Sequence, residues 1–140
     1  MADTFEIEIA TPERLLVREH ALRAQIPGKT GYLGILPDHA PLLGELGIGV
    51  LTFATEAGGR YVLAVHGGYV EVLNNHVRVL ADLAEPGSEI DVARTERALK
   101  AREPELVNAS VGADPASALA AVMRAQARIE AANKAARNEE

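Results

Sequence analysis

"RYVLAVHGGYVEVLNNHVRVLAD", residues 60–82, is the stretch on which the fold turns. It holds three runs rich in Val and Leu, interrupted at Gly67-Gly68 and at Asn74-Asn75. Branched and aromatic side chains suit a pleated, half-buried surface, and Gly-Gly and Asn-Asn pairs are turn signals. The spacing predicts three short strands, "RYVLAV", "GYVEVL" and "HVRVLAD", with a turn at each interruption. Turns this close leave no room for crossover helices, so the strands are expected to pair antiparallel.

Towards the N-terminus the same character holds. Phe5, Ile7 and Ile9 alternate with Glu6 and Glu8, the period of a strand with one wet face. Leu22, Ala24 and Ile26 alternate with Arg23 and Gln25, and Gly58-Gly59 marks a further turn. Many short strands with close turns predict an antiparallel β-sandwich or flattened barrel, here over residues 1–87.

Beyond Glu85-Pro86-Gly87 the pattern becomes helical, and residues 88–140 read as an α-helical hairpin. Ser88 and Asp91 fit a capping box. Val92, Leu99 and Leu106 recur at seven-residue spacing along one stripe, and Pro104 is expected to end or kink the helix near Glu103. "NASVGADP" reads as a loop, and Asp114-Pro115 as a cap followed by proline at the first helical position. The second helix, Ala116 to about Arg137, is dominated by Ala, with Leu119, Val122, Met123 and Ile129 as its larger apolar residues. Alanine favours helix but offers little side chain to bury. Two readings follow: a weakly docked, detachable hairpin, or an ordinary, permanently packed one.

The chain of 140 residues is 48% hydrophobic, enough to build a core, and has no Cys, which excludes disulfides and thiolate metal sites. No stretch is long and apolar enough to span a bilayer as a helix, and the N-terminus lacks a basic-then-apolar signal pattern. The net charge of −6 is uneven: residues 1–90 hold 6 Lys/Arg against 12 Asp/Glu, whereas residues 91–140 hold 8 of each. An acidic surface repels phosphate backbones, so nucleic acid is not an expected partner.

Chemistry-bearing motifs are few. Gly28-Lys29-Thr30 ends as a phosphate loop does, but Arg23 stands where that loop needs its first glycine, Pro27 lacks an N–H, and no helical pattern follows. The four histidines, His20, His39, His66 and His76, show no metal-site spacing. Glu6 and Glu8 read as the solvated side of the first strand rather than a catalytic pair. With neither nucleophile nor acid–base pair in view, no enzyme is expected.

"GYLGILPDHAPLLGELGIGVL", beginning at Gly31, closely resembles the signature of the epsilon subunit of the bacterial F-type ATP synthase, equivalent to the mitochondrial delta subunit. Gly31, Leu33, Gly34, Ile35, Pro37, His39, Ala40, Pro41, Leu42 and Leu43 carry the match, and the Gly67-Gly68 strand pair extends it. The resemblance implies a non-catalytic central-stalk subunit. Its β-sandwich would pack on the gamma subunit and the loops of the membrane c-ring. Its hairpin, when extended, would enter the catalytic alpha/beta hexamer and block ATP hydrolysis, and when folded down would permit turnover. It implies a peripheral place on the cytoplasmic face of the bacterial plasma membrane. Gly31, Tyr32, Pro37, His39 and Pro41 then form a shaped rotor-contact loop. Many members carry Glu where this chain has Tyr32. Without the resemblance, Gly and Pro simply shape a sandwich corner.

Some epsilon subunits bind ATP between the folded-down helices through Ile/Leu-Asp-x-x-Arg-Ala. The counterpart here is Ile90-Asp91-Val92-Ala93-Arg94-Thr95, with Thr95 in place of alanine, Glu85 just before it, and Arg124 and Arg128 four apart on the second helix. Ala101 and Ser117 stand where ATP-binding members carry further arginines. On the resemblance, Glu85, Ile90, Asp91, Arg94, Arg124 and Arg128 are the nucleotide-binding candidates. No cofactor is required, and ATP is the implied regulatory ligand. The bland reading stays open: Asp91 as a cap with Arg94 as its solvated partner, and the arginines as a charged outer face. A free-standing nucleotide-sensing sandwich with a ligand-controlled hairpin is the rival function.

Overall fold

The computed structural model describes residues 2–107 and 115–137, with side chains 102–107 and 115 outside that description. Seven strands come first: β1 (Phe5–Ala10), β2 (Leu15–Gly28), β3 (Gly31–Ile35), β4 (Leu42–Glu45), β5 (Ile48–Thr55), β6 (Arg60–Leu73) and β7 (His76–Pro86). A 3-10 turn at Gly87–Glu89 leads into α1 (Val92–Val107), followed by α2 (Pro115–Arg137). The architecture is the expected β-sandwich followed by two helices. The expected loop 108–114, the Asp114 cap and the Leu106 side chain lie outside the described residues.

The strands run β1-β7-β6-β5-β2-β3, with β4 also on β6, and β1 pairs with β2 as well, which closes the sheet into a flattened barrel. Closure corrects one expectation. β1 pairs antiparallel with β2 but parallel with β7, Glu6 opposite His76 and Glu8 opposite Arg78. Antiparallel pairing follows where a tight turn joins neighbours, whereas β1 and β7 meet through the whole sandwich, where no turn sets direction.

The expected alternation holds on β1 and breaks once on β2. Phe5, Ile7 and Ile9 are buried with Ala24, Ile26, Leu51, Phe53, Val65, Val70, Val77 and Val79 in one core, but an irregularity between Ala21 and Arg23 buries Ala21 in place of Leu22. Asn74 and Asn75 take positive φ, 50° and 59°, as a tight two-residue turn between β6 and β7 requires. Gly67-Gly68 proves not to be a turn. β6 runs through it, and the positive φ of Gly67 and Gly68, 74° and 112°, bends the strand so that its first half pairs with β5 and its second with β4. A Cβ on Gly68 would collide with the Leu80 carbonyl oxygen.

The helices also depart from expectation in three places. Ser88 lies in the 3-10 turn, and the cap of α1 is Asp91, whose Oδ1 accepts the Arg94 amide at 3.1 Å. The short turn absorbs the residues that the expected box assigned to the helix. α1 does not stop at Glu103 but continues to Val107. Proline removes one N–H, and so close to the helix end only a single backbone bond is forfeited. On α2, the larger residues Leu119 and Met123 are 53% and 43% exposed, while Ala118, Ala127, Ala131 and Ala132 are buried.

α2 lies against β5, β6 and the 3-10 turn, and α1 packs chiefly on α2. The seam is a second small cluster: Val50, Val62, Ala64 and Ile90 against Ala131 and Ala132. Small residues bring backbones close here, and a Cβ on Gly87 would strike the Ala131 carbonyl. Arg60 Nη2 donates to the Lys134 carbonyl oxygen, 3.4 Å, near the end of α2.

Candidate functional site

Beneath the two helices lies a cavity of about 300 Å³, lined by His66 from β6, Leu83 and Glu85 from β7, Thr95 and Leu99 from α1, and Arg124 and Arg128 from α2 among others. Three of the sequence-predicted nucleotide residues therefore meet: Glu85, Arg124 and Arg128. Arg124 and Arg128 share a face because they are four apart on α2. Arg128 Nε lies 2.8 Å from Glu85 Oε1, and Arg128 Nη2 donates to Glu85 Oε2 at 3.1 Å. The ion pair thus carries one hydrogen bond, from Nη2, and roughly a third of each side chain is exposed, open to water at its rim.

The other three candidates take different places. Ile90 is buried in the seam against Ala131 and Ala132. The Asp91 carboxylate caps α1, and Arg94 is exposed; neither lines the cavity. Thr95, where ATP-binding members carry alanine, is accommodated. It is 2% exposed, and its Oγ1 donates to the Asp91 carbonyl oxygen at 2.8 Å.

His66 is a site residue that the sequence reading passed over. It is 6% exposed on β6, on the helix-facing side with buried Val62 and Ala64, and its Nδ1 is buried without a partner among the described residues. Burial holds its pKa below the ordinary value of 6.5; Glu85 opposes that shift, and Arg124 and Arg128 add to it. The signal was present in the sequence: a titratable residue interrupting an apolar strand just before its Gly-Gly bend.

The contact loop is built separately. Tyr32 lies at the hairpin end of β3, half exposed, with its hydroxyl oxygen accepting the Val50 amide at 3.1 Å. Gly31 opens that strand at φ 146°. Pro37, Asp38, His39 and Pro41 follow beyond the other end of β3. Asp38 takes φ 64°, a cost that three bonds offset: its amide donates to Asn75 Oδ1 (2.6 Å), while its carboxylate accepts from Asn75 Nδ2 (2.9 Å) and the Ala2 amide (3.1 Å). Asn75, then the Ala2 amide, hold that carboxyl below its usual pKa. His39 Nδ1 lies 2.7 Å from the Ala40 carbonyl oxygen. Lys29, the cation of the discarded phosphate loop, is engaged with Glu45 through both its amide (3.0 Å to the carbonyl) and its ammonium (3.1 Å).

Two further features bear on function. Leu43, Tyr69, Leu73 and Leu80 are exposed on the outer face of β4, β6 and β7, with Tyr69 directly opposite Leu80. Glu6, Glu8 and His76 converge within 4.8 Å, a grouping that linear spacing hid because the parallel register creates it. Arg18 and Arg78 already balance those carboxylates, at 2.8 Å from Glu6 and 3.6 Å from Glu8, so a cation would gain little there. A hollow of about 350 Å³ near Gly34, Leu36 and Phe53 is mostly apolar and meets none of the predicted site residues.

The family model described as the ATP synthase Delta/Epsilon chain β-sandwich domain matches residues 4–87. The chain is 55% identical to the ATP synthase epsilon chain of Solibacter usitatus over 96% of this chain and 99% of that one. It is 45% identical to the ATP synthase epsilon chain of Syntrophomonas wolfei, covering 94% and 96%. Its fold is similar to a chain in the Euglena gracilis mitochondrial ATP synthase OSCP/F1/c-ring structure, with TM-score 0.72 and 21% identity over 97% of this chain and 82% of that one. A chain of the Tetrahymena thermophila central stalk/c-ring structure gives TM-score 0.50 and 16% identity over 78% and 96%. With a matching sandwich model and relatives this close along almost the entire length, the chain belongs to the ATP synthase epsilon-chain family, whose members are non-catalytic subunits of that complex.

Proposed function

We propose that the chain works in the central stalk of an F-type ATP synthase, where its sandwich couples rotor to catalytic head and its hairpin restrains ATP hydrolysis when detached. The observation that carries this reading is the seam between hairpin and sandwich. Among the described contacts, α2 is held by buried alanines against Val50, Val62 and Ile90, a close approach at Gly87, the Arg60–Lys134 hydrogen bond and the partly exposed Arg128–Glu85 pair, with its larger residues Leu119 and Met123 left outside. Alanine burial removes little apolar area, at roughly 25 cal/mol per Å². An exposed ion pair adds about 0–1 kcal/mol. An element held this way is drawn from the low end of local stability and exchanges between resting places at modest cost.

The apolar outer face at Leu43, Tyr69, Leu73 and Leu80 supports a permanent protein partner, because clustered exposed apolar residues mark interaction surfaces. We assign that face to the gamma subunit and the loop at Pro37, His39 and Pro41 to the c-ring, with Gly31 and Tyr32, at the opposite end of β3, outside that loop. No described helix is long and apolar enough to cross a membrane, so membrane association on the cytoplasmic side would run through the complex. ATP is the ligand we assign to the cavity at Glu85, Arg124 and Arg128: guanidinium groups fork to phosphate oxygens, and a ligand bound only to the docked form favours it by mass action. Ile90, Asp91 and Arg94 then serve that site indirectly, by fixing where α1 starts.

The experiment reconstitutes the complex with the full chain and with a chain lacking residues 88–140. Hydrolysis should rise on truncation, and the full chain should co-purify with a gamma subunit. Unchanged hydrolysis would confine the chain to assembly. Failure to bind gamma while still binding ATP would favour a free-standing nucleotide sensor.

A further inference from the structure

Resting on the reading of the cavity as a nucleotide site, we propose that His66 is a phosphate-contacting residue of that cavity, so that nucleotide binding takes up a proton.

Buried polar groups in folded proteins almost always have a partner, and an orphan calls for an explanation. His66 is 6% exposed, lines the cavity, and has a buried Nδ1 with no partner among the described residues. The described parts of the neighbouring elements do not supply one. Its cross-strand neighbours are Ile48 on β5 and Leu83 on β7. α1 presents Thr95, Ala98 and Leu99 to the cavity, and the Thr95 hydroxyl already donates to Asp91. The charged groups that face the cavity are Glu85 from β7 and Arg124 and Arg128 from α2. Arg128 and Glu85 pair with each other.

The surroundings of His66 disfavour a protonated imidazole, through desolvation first and the two arginines besides, with Glu85 opposing them. A phosphate anion reverses both influences. It satisfies the arginines, and it offers acceptor oxygens to an imidazole that can donate from Nδ1. The imidazolium becomes the favoured form once the anion is bound, with the proton drawn from solvent. Since a strand residue beneath the helices touches the ligand only while the hairpin is docked, proton uptake also belongs to the docked form. Acid would then tighten nucleotide binding at this site, beyond any effect of the nucleotide's own phosphate titration.

Calorimetry on the full chain with ATP between pH 6 and 8, in buffers of different ionisation enthalpy, separates the two. For the native chain, affinity should fall as pH rises, by about tenfold for each unit by which binding raises the His66 pKa. His66→Gln should bind ATP with only the dependence that the nucleotide itself brings. In the native chain, imidazole NMR should show the His66 pKa raised by ATP and unmoved by adenosine, a readout that needs no variant. Identical pH dependence in the native and H66Q chains, or a His66 resonance indifferent to ATP, overturns this inference and leaves the nucleotide site standing. No ATP binding at any pH overturns the site and this inference together.

Discussion

Gly87 lies so close beneath Ala131 that a side chain at Gly87 would enter the Ala131 carbonyl oxygen. The contact joins the first residue after β7 to the middle of the docked seam, so the end of the sandwich and the seat of α2 are one feature.

Gly87→Ala should therefore loosen α2 selectively. Overpacking a close contact costs about 1–3 kcal/mol. Amide exchange in α2 should accelerate while β5 and β6 keep their protection. In the assembled enzyme the same change should deepen inhibition of hydrolysis.

Glu85→Gln should matter little to stability. The pair it breaks is partly exposed, so the loss should stay within about 1 kcal/mol and shrink in high salt. Arg124→Ala with Arg128→Ala should instead lower ATP affinity at least tenfold while urea unfolding of the sandwich is unchanged. Equal ATP affinity in the double variant and the native chain would remove the nucleotide assignment.

Gly68→Ala tests the bend rather than the switch. It forces a side chain into φ 112° and against Leu80, so the sandwich itself should lose at least about 1–3 kcal/mol, read as a lower melting temperature.

The unbound chain should weaken on acidification through His66. Its pKa is lowered in the folded form, so the detached or unfolded form binds the proton first. Above about pH 6.5 both forms are neutral there and the group contributes nothing. Below that, docking weakens progressively until the folded-state pKa is passed, where the penalty levels off. His66→Gln should flatten this part of the stability–pH curve, measured by urea titration without nucleotide.

Tyr69→Glu should abolish binding to gamma while leaving the fold intact, because Tyr69 is half exposed on the apolar face and opposite Leu80. Unchanged association would move the interface elsewhere.

The sandwich was legible because its strands alternate: Phe5, Ile7 and Ile9 point inward as read. The Asn74-Asn75 turn was legible because two left-handed residues in a row leave few alternatives. Gly67-Gly68 misled because a glycine pair permits a bend as readily as a turn, and only the partners β4, β5 and β7 decide. The parallel β1–β7 pair, and with it the meeting of Glu6, Glu8 and His76, depends on closure of the barrel, which no local pattern encodes. In the site, Arg124 and Arg128 were legible only through the family resemblance, helical spacing adding no more than that they share a face. His66 shows in the sequence only as a titratable residue interrupting an apolar strand; its place in the lining of a cavity under two distant helices, with a buried Nδ1 that has no partner among the described residues, is set by the fold. On α2, full burial falls on alanines because close docking selects small side chains, while Leu119 and Met123 stay exposed.

Hydrogen exchange along α2, from Ala118 to Ala132, compared with Leu51 and Val65 in the core of β5 and β6, tests the detachable hairpin most directly. Without nucleotide, α2 should exchange orders of magnitude faster than the core, and saturating ATP should slow α2 alone. Exchange in α2 as slow as in the core, with and without ATP and in the assembled enzyme, would contradict it.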